Sequence, residues 1–157
     1  MLFEFGNYIL DIDVDKTREF YIHAQNITAD CDCQGCRNYV KWAEELSAEP
    51  KYTLENMGVL LEKTPEVYVN CSNEDGTLYY GGFYHVCGKI VRGKNPWMTI
   101  TENSRTFDEG TFVSLADGFR VSFTEDIDLL EENFPTPAIQ MEILANIPFV
   151  LSERCDY

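Results

Sequence analysis

The stretch DCDCQGCRNY, Asp30 to Tyr39, places three of the chain's six cysteines within six positions. Thiolates are soft metal ligands and good nucleophiles, so the cluster fits a metal site, a redox pair or a packed turn. Zinc takes four thiolate or imidazole ligands in a tetrahedron at about 2.0 to 2.3 Å, and a C-x2-C turn can supply two of them. Cys33 and Cys36 have that spacing, with Gly35 easing the turn, and Cys31 offers a third sulfur. The fourth ligand must come from elsewhere: His23, Cys71, His85 and Cys87 are the candidates, and no second C-x2-C or H-x3-H selects among them. The expected set is Cys31, Cys33 and Cys36 completed by His23 or His85.

A redox role asks for a depressed thiol pKa. Cys36 falls near the first turn of the helix expected after it, where the helix dipole and Arg37 favour a thiolate. Asp30 and Asp32 oppose that charge, and no βαβ unit surrounds the motif. The plain reading is three small, readily buried thiols packed around a helix start.

Other constellations fail on their partners. Asp11, Asp13 and Asp15 imitate the start of a calcium loop, but its sixth and twelfth positions are Lys16 and Ile22 in place of Gly and Glu. Cys87 and His85 share a strand face without an orienting third group or oxyanion donors. Phosphate-loop spacing, H-E-x-x-H and G-x-S-x-G are absent from the sequence.

Elements must position the cysteines, and periodicity outlines them. Leu10, Ile12 and Val14 alternate with aspartates, predicting a strand over YILDIDVD. A helix is expected from Lys16 to Gln25, capped by Asp15. Tyr39, Trp42, Ala43 and Leu46 lie at i, i+3, i+4, i+7, predicting an amphipathic helix closed by Pro50. A short helix over YTLENMG should end at Gly58.

After Pro65 the chain turns β-rich. Val67, Val69 and Cys71 should share one face before a hairpin at Asp75-Gly76, and Gly81-Gly82 predicts a bulge or a close backbone approach in the return strand. There Phe83, His85 and Cys87 oppose Tyr84 and Val86. A loop from Arg92 to Gly110 precedes a second hairpin turning at Asp117-Gly118, with Phe119, Val121 and Phe123 on its apolar face. An acidic surface connection, TEDIDLLEENFPTP, with a helical turn leads to a last strand bearing Ile139, Met141 and Ile143. Helices first and strands later predict an α+β fold, short N-terminal helices packed on a mostly antiparallel sheet.

At 157 residues, with 45% hydrophobic and 13% aromatic content, the chain supports a single compact domain over 1-157. Acidic residues outnumber basic ones 27 to 12, a net charge of −15, which repels phosphate backbones and anionic lipid. Nucleic acid and membrane partners are therefore not expected, while a basic protein partner is compatible. The N-terminus lacks a basic, apolar leader pattern, which predicts a cytoplasmic protein whose cysteines stay thiols or bind metal.

The combination of CDCQGCRNY with the strand DGTLYYGGFYHVCGKI and the closing IPFVL resembles a family of small bacterial proteins of unknown function, marked by C-x-C-x-x-C-x-N and a Y-x-G-x-Y-H-like strand. Cys31, Cys33, Cys36 and Asn38 match the first mark; Tyr80, Gly82, Tyr84 and His85 roughly match the second. The resemblance implies a bacterial, cytoplasmic, single-domain protein and carries over no catalytic residue. Two function classes follow from the sequence. One is a non-enzymatic interaction module, immunity- or adaptor-like, binding a basic partner. The other is a small zinc-binding protein with a cysteine-rich structural site. An unrecognised enzyme is a third possibility.

Overall fold

One strand of sixteen residues, buried on both faces from Tyr80 to Gly88, organises the molecule. A computed structural model describes residues 1–45 and 47–157; Leu46, the last position of the predicted helical stripe, lies outside them. The strands are β1 (Leu2–Phe5), β2 (Tyr8–Ile12), β3 (Glu66–Ser72), β4 (Thr77–Arg92), β5 (Trp97–Thr101), β6 (Ser104–Phe107), β7 (Val113–Ala116), β8 (Phe119–Thr124) and β9 (Ala138–Pro148). The helices are α1 (Val14–His23), α2 (Gln34–Glu45) and α3 (Ala48–Asn56). The architecture is α+β, with helices packed on an antiparallel sheet.

Seven strands form the main sheet in the order β1-β2-β4-β9-β8-β7, and β3 also pairs with β4. β4 is the spine: β9 pairs with it from Thr77 to Cys87, β3 pairs with its first half and β2 with its last residues. β5 and β6 make a separate hairpin.

Where an element departs from expectation, the reason is local. β2 buries Tyr8, Leu10 and Ile12, while Val14 opens α1 instead of ending the strand. The helix cap is therefore Asp13, whose carboxylate accepts the Lys16 amide at 3.1 Å; Asp15 lies inside the first turn. β1, not foreseen, pairs with β2 through a turn at Gly6. Pro50 does not close α2. It sits in the first turn of α3, where a missing N–H costs little because that turn's amides have no helical acceptors. Gly58 follows α3 with φ +88°, as expected of a residue ending a helix.

In the β half, Asp75-Gly76 and Asp117-Gly118 turn as expected, with both glycines at positive φ. The bulge falls in β3, between Val69 and Cys71, so Cys71 leaves the Val67 face and is exposed. At Gly82 the expected close approach is present: a Cβ there would stand 2.5 Å from the Glu66 carbonyl. Residues 97–107, expected as loop, form the β5–β6 hairpin around Glu102-Asn103. The acidic connection contains a single hydrogen-bonded turn, in which the Phe134 amide donates to the Glu131 carbonyl at 2.9 Å, and it folds back over the sheet, burying Phe134 against Phe20 and His85.

The helical layer covers one sheet face. Tyr39, Trp42 and Ala43 of α2 are buried; Trp42 stacks on Phe119, and the Tyr39 and Tyr84 hydroxyls meet at 2.6 Å. Burial of such side chains is worth about 1.5 to 3 kcal/mol each, so this face fixes where the N-terminus of α2 points. No helix among the described residues is long and apolar enough to cross a membrane.

Candidate metal centre

Cys33 directly precedes α2. Its carbonyl accepts the Arg37 amide at 3.1 Å and its sulfur faces the Cys36 amide at 3.5 Å, so it occupies the cap position, where free helix amides favour negative charge. Cys36 is one turn on and buried, with its sulfur 4.0 Å from the Val67 carbonyl. Cys31 follows a 3-10 turn at Ile27–Ala29, its amide held by the Ile27 carbonyl at 2.9 Å. Together these bring the Cys31, Cys33 and Cys36 sulfurs within 4.8 Å of one another, with Cys31 and Cys33 at 3.2 Å. Sulfurs on one tetrahedral zinc at about 2.3 Å stand about 3.8 Å apart, inside that range.

The thiols differ electrostatically. For Cys33, partial burial raises the pKa, but the Cys36 and Gly35 amides and the neighbouring thiols outweigh it, and the net shift is downward. For Cys36, burial and the two adjacent thiols push the pKa well up. The expected depressed thiol at Cys36 is therefore Cys33 instead. Arg37 forms ion pairs with Asp32 and Glu153.

Gly35 does not ease a turn; it is the second residue of α2. A Cβ there would lie 2.9 Å from the Tyr157 hydroxyl and 3.0 Å from Val69 Cγ2, so its smallness admits the chain's last residue. Asn38, two residues after Cys36, is fully buried. Its amide donates to the Tyr80 hydroxyl and the Pro148 carbonyl, both at 3.2 Å, and its oxygen accepts the Val150 amide at 2.7 Å. It thereby ties α2 to β4 and to the segment after β9.

The sequence-predicted fourth ligands are dispersed. His23 ends α1, is exposed, and lines with Cys31 a cavity of about 800 Å³; it is not in the converging group. His85 is buried on β4, also outside the group, with Nε2 2.9 Å from the Asp128 carbonyl and 3.3 Å from Gln140 Oε1. Both partners accept, so Nε2 carries the proton and Nδ1, buried without a partner, is a bare acceptor. Burial lowers the His85 pKa, in keeping with a neutral ring. Cys71 is exposed on β3, and Cys87 is buried beside Asp13 and Lys16.

A second polar cluster lies on the sheet face opposite α2. Gln140 Nε2 donates to Glu142 Oε1 at 2.6 Å, and Gln140 Oε1 accepts the Asp128 amide at 2.8 Å. Burial raises the Glu142 pKa to about 7, against the Gln140 amide that lowers it. Sequence reading passed over Gln140 and Glu142, although their alternation with Ile139, Met141 and Ile143 marks a strand with a polar second face. Cys155 and Tyr157 were also passed over, since no spacing links them to the N-terminal thiols.

No protein-family model, curated protein or solved structure matches this chain.

Proposed function

We propose that the chain is a zinc-binding protein whose metal is held by the thiolates of Cys31, Cys33 and Cys36 and pins α2 to the sheet. The observation that carries this reading is the convergence of three sulfurs within 4.8 Å. Packing alone accounts poorly for it: Cys33 is exposed, so it gains little from burial, and thiols are weak hydrogen-bond partners for one another. The amides at the start of α2 and the Arg37 guanidinium offset the negative charge three thiolates would bring. Protein purified without added metal should contain about one zinc per chain, and a chelator should lower its melting temperature, because metal binding energy is part of folding energy. Less than about a tenth of an equivalent, with no chelator effect, contradicts the proposal.

A second reading, a non-enzymatic module that binds a basic protein partner, is supported by the 800 Å³ cavity. Glu19, Asp30, Glu66 and Glu131 line it beside two lysines, Lys63, whose ammonium donates to the Ala24 carbonyl at 2.6 Å, and Lys16, paired with Asp13 at 3.0 Å. A cationic side chain would meet an excess of carboxylates there. Such a partner should associate faster at low salt; capture of only neutral or acidic partners, insensitive to salt, sinks this reading.

A further inference from the structure

The last five residues lie on the N-terminus of α2, and they bring a sixth cysteine to the thiol corner. Gln34, the residue after Cys33, is gripped by the tail. Its Nε2 donates to the Arg154 carbonyl at 2.8 Å and its Oε1 accepts the Asp156 amide at 2.8 Å. Those two groups flank Cys155 directly. Glu153 is paired with Arg37, the residue after Cys36, and Tyr157 rests on Gly35. Cys155 is thus anchored on both sides against residues 34–37. It is half-buried and packed against the core.

We infer that Cys155 is the fourth thiolate of the metal centre, so that the C-terminal tail closes a four-cysteine site on the start of α2. This rests on the zinc reading and names the ligand that reading lacks. Its sulfur lies outside the 4.8 Å group. Metal binding therefore asks the Cys155 side chain to swing toward the three while Gln34 holds the backbone on both sides of it. The alternatives have no such anchor at the start of α2: His85 lies on the sheet face opposite α2, Cys71 and Cys87 stand on strands outside the converging group, and His23 is exposed at the end of α1. Four thiolates leave a net charge of −2 on the site. The amides at the start of α2 and the Arg37 side chain are suited to stabilise it.

The test loads cobalt(II) into wild-type protein and into the Cys155→Ser, Cys155→His and His23→Ala variants, and reads sulfur-to-metal charge transfer and zinc affinity. Cys155→Ser should lose about a quarter of the charge-transfer intensity, one thiolate in four, and weaken zinc binding roughly 100-fold. Cys155→His should regain affinity while keeping the reduced intensity, which shows that the tail position still ligates and that the variant folds. His23→Ala should match wild type. A Cys155→Ser protein indistinguishable from wild type, or the loss appearing in His23→Ala instead, overturns the assignment. A wild-type protein that takes up neither cobalt nor zinc overturns the zinc reading itself and this inference with it.

Discussion

The thiol corner and the Glu142 strip lie on opposite faces of one sheet, and they handle buried polarity in opposite ways. In the strip, donors meet acceptors: His85 Nε2, Gln140 and the Asp128 backbone close a network in which Glu142 Oε1 also has its donor. Such a network fixes the loop after β8 over the sheet. In the corner, three sulfurs converge with few donors among them, at the edge of solvent. One cluster satisfies its own members at every group but His85 Nδ1, while the other is arranged for something that binds thiolates. Chemically capable side chains therefore become a candidate site through what they lack, more than through their types.

The comparison can be broken first at the strip. The folded-state pKa of Glu142 is about 7 against 4.5 as reference, so between these values the folded protein holds a proton that the unfolded chain has released. Stability is then full below pH 4.5 and declines as pH rises toward 7, by roughly 3 kcal/mol at most for this group. Urea unfolding at pH 5 and pH 7.5 should show the decline in wild type and a flatter profile in Glu142→Gln; equal slopes in both proteins refute the assignment. At the corner, Cys33→Ser should weaken zinc binding roughly 100-fold, about 2.7 kcal/mol, in competition with a chromophoric chelator. Glu142→Gln should leave that affinity unchanged.

Two smaller effects sharpen the description of the corner. Gly35→Ala should cost about 1 to 3 kcal/mol in chemical denaturation, because its Cβ must displace Tyr157 or Val69 from an occupied space. Arg37→Ala should cost less than about 1 kcal/mol, since its pairs with Asp32 and Glu153 are solvent-exposed and screened. A larger loss for Arg37→Ala than for Gly35→Ala would mean that charge, and not close packing, holds the tail.

Local pattern made much of this legible. The Tyr39, Trp42 and Ala43 spacing gave the buried face of α2, the Asp-Gly pairs gave two turns, and C-x-C-x2-C named the residues that converge. What pattern could not carry was distance along the chain. Asn38 works through Tyr80, Pro148 and Val150, and Gln34 through Arg154 and Asp156, contacts that span up to 122 positions. Cys155 therefore had no sequence neighbour to announce it. His85 drew attention because histidines ligate metals, yet burial on β4 and two acceptors at Nε2 commit it to the opposite face. The same blindness applied to the β5–β6 hairpin, whose Glu102-Asn103 turn lacks the glycine that marked the other two.

X-ray absorption at the zinc edge, on protein carrying the metal it acquires during expression, tests the central claim most directly. The account predicts a nearest shell dominated by sulfur at about 2.3 Å, with at least three scatterers. A shell of oxygen or nitrogen at about 2.0 to 2.1 Å, or zinc too scarce to measure, would contradict it.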